Sequence, residues 1–318
     1  MTLRIFFATD LHGSERCFRK FLAAKKFYKV DVLILGGDLT GKLIIPIVEQ
    51  PNGTYISKFL GRDFVLKKDD VSKFEENIKN VGYYPYYLSP SELEELKNDK
   101  CKRDMLFLHL ALDRLKQWSA LAQDYFKDSD DKIYVTGGND DPLEIENFLN
   151  ESDIFINCEG KVVELNKHHE MISSGYSNIT PWKCPRDIED EKLSKKIEEM
   201  VSQVKRMDTC IFNLHVPPYD TMIDTAIEVV VRNDEVVPVM KGASPSIIPA
   251  GSKAVRQAIE KHQPVLGLHG HIHESRGVCK LGRTLCINPG SEYSEGILRG
   301  TIVTLDKNKI VDYLLTSG

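Results

Sequence analysis

Short apolar runs that end on a glycine, an aspartate or a histidine recur along this chain, and they constrain its fold more than any other feature. Leu3–Thr9 leads into Asp10-Leu11-His12, Val30–Leu35 into Gly36-Gly37-Asp38, and Lys132–Thr136 towards Gly138-Asn139-Asp140. Further on, His215 follows Thr209–Leu214, and Gly270-His271-Ile272-His273 follows Pro264–Leu268. Continuous apolar runs of this length suit strands covered on both faces, which places the polar residues at strand ends. Strands fix direction while the loops after them turn, so side chains from separate strand ends can converge. Asp10, His12, Asp38, Asn139, His215, His271 and His273 would then supply hard and borderline metal ligands to one place.

Further strand candidates are Asp153–Asn157, Lys161–Leu165, Glu170–Ser174, Arg283–Ile287, Thr301–Leu305 and Lys309–Leu314. Helices are expected at Glu15–Tyr28 with Ser14 as N-cap, Arg103–Phe126, Asp190–Arg206 and Lys253–His262. Strands alternate with helices early on and predominate later. That order predicts an α/β fold of two packed sheets with helices outside. Asp38 and Asn139 stand further apart than one strand-helix-strand unit needs. The excess opens on a hairpin, Leu43–Val48 and Thr54–Ile56 around Pro51-Asn52-Gly53, and continues through Tyr83, Tyr84, Tyr86 and Tyr87. Ser89-Pro90-Ser91-Glu92 then reads as a capping box with proline at the first helical position. No linker-like run is present, so residues 43–102 are read as an insertion or arm within a single domain, 1–318.

Composition narrows the function classes. The chain is 42% apolar and 28% charged with a net charge of -5, which gives no electrostatic footprint for nucleic acid or an anionic membrane. No apolar stretch approaches the ~20 residues of a membrane span, and the first residues lack the form of a secretory signal. Seven scattered cysteines without a C-x-x-C pair argue against a disulfide framework or a zinc ribbon. Cys210 and Cys286 read as small buried hydrophobes. A soluble, cytoplasmic protein is expected.

In order and type, the five strand-end fragments resemble the metal ligands of the calcineurin-like metallophosphoesterases. The resemblance implies a four-layer αββα sandwich, with Asp10, His12, Asp38 and His273 on one divalent ion. Asp38, Asn139, His215 and His271 would hold a second, with Asp38 bridging the two. Mixed nitrogen and oxygen ligation fits Mn, Fe or Zn better than Mg or Ca. The implied activity is hydrolysis of a small phosphorylated substrate, monoester or diester, by hydroxide drawn from a water that both ions share. Asn139, Asp140 and His215 are the candidate catalytic residues. One position departs from the family. The usual Gly-Asn-His-Asp/Glu reads Gly138-Asn139-Asp140-Asp141, so an aspartate replaces the histidine that assists the leaving group. A carboxylate beside two dications stays ionised and carries no proton, which favours substrates with good leaving groups. Asp140 alternatively caps a helix starting near Pro142. A non-catalytic or weakly catalytic metal-binding scaffold or interaction protein of the same fold, and a nuclease, are the other readings.

Lesser candidates complete the list. His269 is expected to brace a ligand or simply to pack, and Asn288-Pro289-Gly290-Ser291 to form a loop beside the site. His168-His169 reads as a solvated turn, while His109 and His262 sit on predicted helices. Pro217-Pro218-Tyr219-Asp220 and Thr180-Pro181-Trp182-Lys183 are candidate pocket walls, and Arg186 a candidate phosphate grip.

Overall fold

The computed structural model describes residues 2–232 and 235–318. Alternation within the first strand, Thr2–Ala8, sets the layering. Ile5 and Phe7 enter one buried cluster, and Phe6 and Ala8 enter another on the opposite face, as the two-residue period of a strand requires. The strand belongs to a six-stranded sheet ordered Lys309–Ser317, Arg299–Asp306, Thr2–Ala8, Val32–Leu35, Ile133–Val135, Phe155–Asn157. The last four are parallel, and the other two form an antiparallel edge. A second six-stranded sheet is ordered Gly277–Leu281, Thr284–Asn288, Leu266–Leu268, Ile211–Leu214, Glu170–Ser174, Val162–Glu164. Its four inner strands are parallel and its two edges antiparallel.

Between the sheets, Ile5, Phe7 and Ile34 meet Met171, Ile211, Leu266 and Ile287. Outside the first sheet, Phe6 and Leu33 meet Phe18 and Phe21 of helix Glu15–Phe27 and Trp118 of helix Lys100–Tyr125. Phe18 and Trp118 stack with ring centroids 4.2 Å apart. Helices Asp190–Val201 and Lys253–His262 cover the second sheet through Ile197, Met200, Val255 and Ile259. The architecture is therefore helix, sheet, sheet, helix, and double coverage explains why the early strands are apolar throughout. Cys210 and Cys286 lie in this interior, and all seven cysteines are free. Among the described residues, no helix is long and apolar enough to cross a membrane.

Local boundaries moved where long-range bonds compete. The helix expected to reach Arg206 stops at Val201. The backbone N–H groups of Lys205 and Arg206 donate instead to the buried Glu170 carboxylate, at 3.1 and 3.0 Å. Asp99 caps the long helix by accepting from the Lys102 N–H at 2.9 Å, so residues 100–102 belong to that helix and not to the preceding segment.

Within residues 44–98, strands Arg62–Leu66, Tyr55–Phe59, Ile44–Glu49 and Tyr84–Leu88 form a separate sheet in that order. Helix Lys68–Asn80 packs Val71, Phe74 and Ile78 on Ile45, Ile47 and Phe59, giving this segment a small core of its own. Ser89 and Glu92 form the reciprocal capping box. Tyr84 is buried and accepts from the Gly41 N–H at 2.7 Å, while Tyr87 is exposed. Residues 225–249 add three short antiparallel pairs that periodicity did not reveal: Thr225–Ile227 with Ile247–Pro249, Val229–Arg232 with Glu235–Pro238, and Met240–Lys241 with Ser244–Pro245. Strands of two to four residues interrupted by prolines are too short to show a period.

One half-buried acid offers a pH test of the fold. Burial raises Glu159 to about 7, against the Gly175 N–H, which donates to it at 2.6 Å. The folded state therefore holds a proton that the unfolded chain releases above the ordinary glutamate range. This contribution to stability is fully present below the unfolded value and lost as pH rises through about 7. Glu159→Gln is expected to flatten the fall in Tm between pH 5 and 8, measured at constant metal content. An unchanged slope would place the titration elsewhere.

Candidate metal centre

Five strand ends meet on one edge of the sandwich, and backbone bonds lock them together. Asp10 N–H donates to Gly37 carbonyl and His12 N–H to Asp38 carbonyl, each at 2.9 Å. Gly270 N–H donates to His215 carbonyl at 2.8 Å. Asp10, His12, Asp38 and His271 all have φ between 42° and 67°, the left-handed region that L residues rarely occupy. Such conformations cost ~1–3 kcal/mol each and persist only where the surroundings enforce them.

The structure brings all seven strand-end candidates together. Ligand atoms of Asp10, His12, Asp38 and His273 lie within 4.8 Å of one another. His12 Nε2 and His273 Nε2 face each other at 3.1 Å, and His273 Nε2 stands 3.4 Å from Asp10 Oδ1. Beside them, His215 Nε2 is 3.4 Å from Asp38 Oδ2, and His271 Nδ1 is 2.8 Å from Asn139 Oδ1.

Burial and neighbouring charges set the protonation of these donors. Asp10, His12, Asp38 and His215 are buried. Burial opposes charge on His215, yet the Asp38 and Asp10 carboxylates prevail and raise the imidazole to about 9. Burial, with Lys42 adding to it, pushes His12 down to about 3. Burial, with His215 adding to it, pushes His271 down to about 4. His12 and His271 are thus neutral at pH 7, the form in which imidazole ligates. The Gly36 carbonyl can only accept, so His215 Nδ1 donates to it, at 3.1 Å. This leaves the buried Nε2 facing the two carboxylates, 3.4 Å from Asp38 Oδ2 and 3.8 Å from Asp10 Oδ1, so that without a cation it holds a proton between them. An imidazole nitrogen that two aspartates keep beside positive charge, and two nitrogens converging head-on, fit divalent cations of the N/O-ligating kind.

A second layer of residues holds these donors. Asn139 Nδ2 donates to Asp187 Oδ1 at 3.1 Å, which turns its amide oxygen towards His271. Asp141 accepts from Gly138 N–H, Leu39 N–H, Thr40 N–H and the Thr40 hydroxyl, at 2.7 to 2.9 Å, tying two ligand loops together. Sequence reading passed over Asp141 and Asp187. The acid at the end of the Gly-Asn-x-Asp motif was the available signal for the first, and nothing local marked the second. His269 Nδ1 donates to Leu214 carbonyl at 2.8 Å beneath His215. Ser291 of the Asn-Pro-Gly-Ser loop donates to Asp10 carbonyl at 2.7 Å, and Asn288 Nδ2 donates to Ile272 carbonyl at 2.9 Å.

A cleft of about 710 Å³ opens above the cluster, walled by Phe107, Trp182, Ile227, Val229 and Pro238, with Lys42 and Asp140 at its side. Four expectations are corrected here. Asp140 does not cap a helix, because the next one begins at Ile145 and its N-cap is Glu144. Its carboxylate instead pairs with Lys42 Nζ at 2.8 Å and accepts from Cys184 Sγ at 2.9 Å. Arg186 cannot grip a phosphate, since it is fully buried and donates to Glu146 at 2.6 Å and to Asp141 carbonyl at 3.3 Å. The segment from Pro217 to Asp220 packs on Ser252, and the strands of 225–249 take the wall position expected of it. His169 is not solvated; it is buried between Asn166 and Lys307 carbonyl. His109 and His262 do lie on helices, away from the cleft.

A doubly covered two-sheet sandwich with carboxylates, imidazoles and one amide converging at its strand ends defines a metal-dependent phosphoesterase architecture. Residues 3–275 match the sequence profile of the calcineurin-like phosphoesterases, and the chain belongs to that family. It is 30% identical over 160 residues to the uncharacterized protein MJ1162 of Methanocaldococcus jannaschii, covering 50% of this chain and 63% of that one. The chain thus spans less than two thirds of that relative's length. TT1561 of Thermus thermophilus is similar in structure, with a TM-score of 0.53 and 14% identity over 100% of this chain and 99% of that one. Another solved chain gives a TM-score of 0.55 with 16% identity over 99% of each. These structural likenesses speak to the fold alone.

Proposed function

We propose that this protein hydrolyses small phosphate esters with two divalent cations, held by Asp10, His12, Asp38 and His273 on one side and by Asp38, Asn139, His215 and His271 on the other. The observation that carries this reading is the convergence of all seven donors at one place, with Asp38, Asn139, His271 and His273 lining the cleft and Asp10, His12 and His215 buried beside them. When bound, such a cation pair polarises phosphoryl oxygens and makes hydroxide available near neutral pH. Asp38 would bridge the pair, and its ordinary acidity is strengthened: burial opposes the charge, but His215 and His12 hold the carboxyl well below the usual range. Asn139 and His215 would hold the second cation. Mn, Fe or Zn suits the donor set.

The two oxygens of Asp140 face Lys42 and Cys184, and no imidazole stands at this position to protonate a departing oxygen. Loss of general-acid help costs ~10²–10⁴-fold when the leaving group is basic. Aryl and anhydride phosphates are therefore the favoured class, and the walls formed by Phe107, Trp182 and Ile227 suit a flat apolar leaving group. Residues 43–102 act as an arm of the same domain; Tyr84, which accepts from Gly41 N–H, and Phe107 on the adjoining helix link it to the cleft. The seven free cysteines support a reducing, cytoplasmic setting.

The test is a panel of phosphomonoesters, phosphodiesters and cyclic nucleotides assayed with Mn, Ni, Zn and Mg. Turnover of aryl esters by protein carrying two metals per chain is expected. A protein that retains two metals yet cleaves nothing in the panel would be a binding scaffold, and salt-dependent DNA cleavage would favour the nuclease reading.

A further inference from the structure

Lys42 is the only lysine or arginine among the described residues lining the cleft. It follows the Asp38 loop, and its ammonium stands 2.8 Å from Asp140 Oδ2. Asp140 is itself anchored at three points. Oδ1 accepts from Cys184 Sγ at 2.9 Å, Oδ2 takes the ammonium, and the backbone N–H donates to Asp38 Oδ1 at 3.0 Å. The ammonium is thereby held at the side of the cleft that Asp38 and His273 line, although the lysine side chain is 40% exposed. A lysine has three N–H donors, and the ion pair with Asp140 accounts for one. The others are available to the cleft. The ion pair with Asp140 favours the charged ammonium.

We infer that Lys42, positioned by Asp140, is a catalytic residue that binds the leaving oxygen of the phosphoryl group as a fixed cation, in place of a proton-donating imidazole. This rests on the phosphoesterase reading. As a P–O bond forms from the attacking water oxygen, the P–O bond to the leaving group breaks and its electron pair goes to the leaving oxygen. The proton of the water passes to solvent. The leaving oxygen departs as an oxyanion hydrogen-bonded to Lys42, which keeps its own proton. Oriented charge aimed at a developing oxyanion is worth ~10²–10³ in rate. An arginine at position 42 supplies charge and donors but releases no proton, so it separates a fixed cation from a proton donor.

The experiment compares wild type, Lys42→Met, Lys42→Gln and Lys42→Arg, each loaded with Mn and matched for metal content and Tm. Two quantities are read: the dissociation constant of inorganic orthophosphate by calorimetry, and the dependence of kcat on leaving-group pKa across aryl phosphates. Lys42→Met and Lys42→Gln are expected to weaken orthophosphate by ~10-fold or more, as for loss of a charge-assisted hydrogen bond, and to steepen the leaving-group dependence. Lys42→Arg should restore both. Asp140→Asn, which keeps the lysine but loosens it, should lower kcat with little change in KM.

An unaltered leaving-group dependence in both neutral variants would overturn the assignment; weakened orthophosphate binding beside it would place Lys42 on a non-bridging oxygen. If Lys42→Arg fails where Lys42 works, the lysine is a proton donor and the fixed-cation role is wrong. Failure of the phosphoesterase reading shows separately, as orthophosphate binding that depends on Lys42 without turnover of any ester.

Discussion

Asp38→Asn is expected to reduce the metal content from two ions per chain to one or fewer and to lower phosphate-ester turnover by at least ~10²-fold. The carboxylate lies 3.6 Å from His12 Nε2 and 3.4 Å from His215 Nε2, so it faces both groups of donors. Removing its charge weakens both sites at once, whereas loss of a terminal ligand weakens one. The fold should tolerate the exchange, because asparagine is nearly isosteric and can still accept from Asp140 N–H, which donates to Oδ1 at 3.0 Å. Elemental analysis of anaerobically prepared protein, beside a thermal melt, decides the matter. Two retained metals in the variant would exclude a bridging role for Asp38.

Gly138→Ala is expected to be as damaging, although it removes no ligand. A methyl group at this position would overlap the Asp38 carboxylate and its backbone nitrogen. The neighbouring atoms are backbone and a buried ligand, so neither can move aside cheaply. Gly138 N–H also donates to Asp141 at 2.7 Å, and displacing it disturbs the carboxylate that ties the Asp38 and Asn139 loops together. A destabilisation of ~1–3 kcal/mol is expected from the overpacking, together with loss of metal. A shift in Tm without loss of metal would mean that the two loops relax independently. Gly53, which has nothing near its Cβ direction, serves as the control: Gly53→Ala carries the strain of a positive φ of 77° but should leave the metal content intact.

Much of the sandwich was legible because its signals are local. Strand Glu170–Ser174 and helix Lys253–His262 appear with the bounds that apolar runs and spacing gave them, and Ser14 and Ser89 cap where their side chains predicted. Where bounds shifted, a distant group had taken a backbone donor, as Glu170 does for Lys205 and Arg206. The hairpins of 225–249 escaped notice because each strand is too brief for a period, yet they supply Ile227, Val229 and Pro238 to the cleft.

The sequence by itself determined the donor atoms and their places at strand ends. A ligand that follows a strand is specified by two neighbouring stretches of chain: the apolar run that becomes the strand, and the Gly-Asp, Asp-x-His or Gly-His-x-His that turns out of it. Only the tertiary structure decided what the remaining charges do. Arg186 read as free to hold phosphate, but folding buries it against Glu146 and the carbonyls of Asp141 and Pro142. Asp140 was equally suited to a helix cap until Lys42 and Cys184, from segments distant in sequence, closed on its two oxygens. A buried or clefted charge takes its role from whichever partner the packing delivers, and those partners come from elsewhere in the chain, beyond the reach of any local pattern.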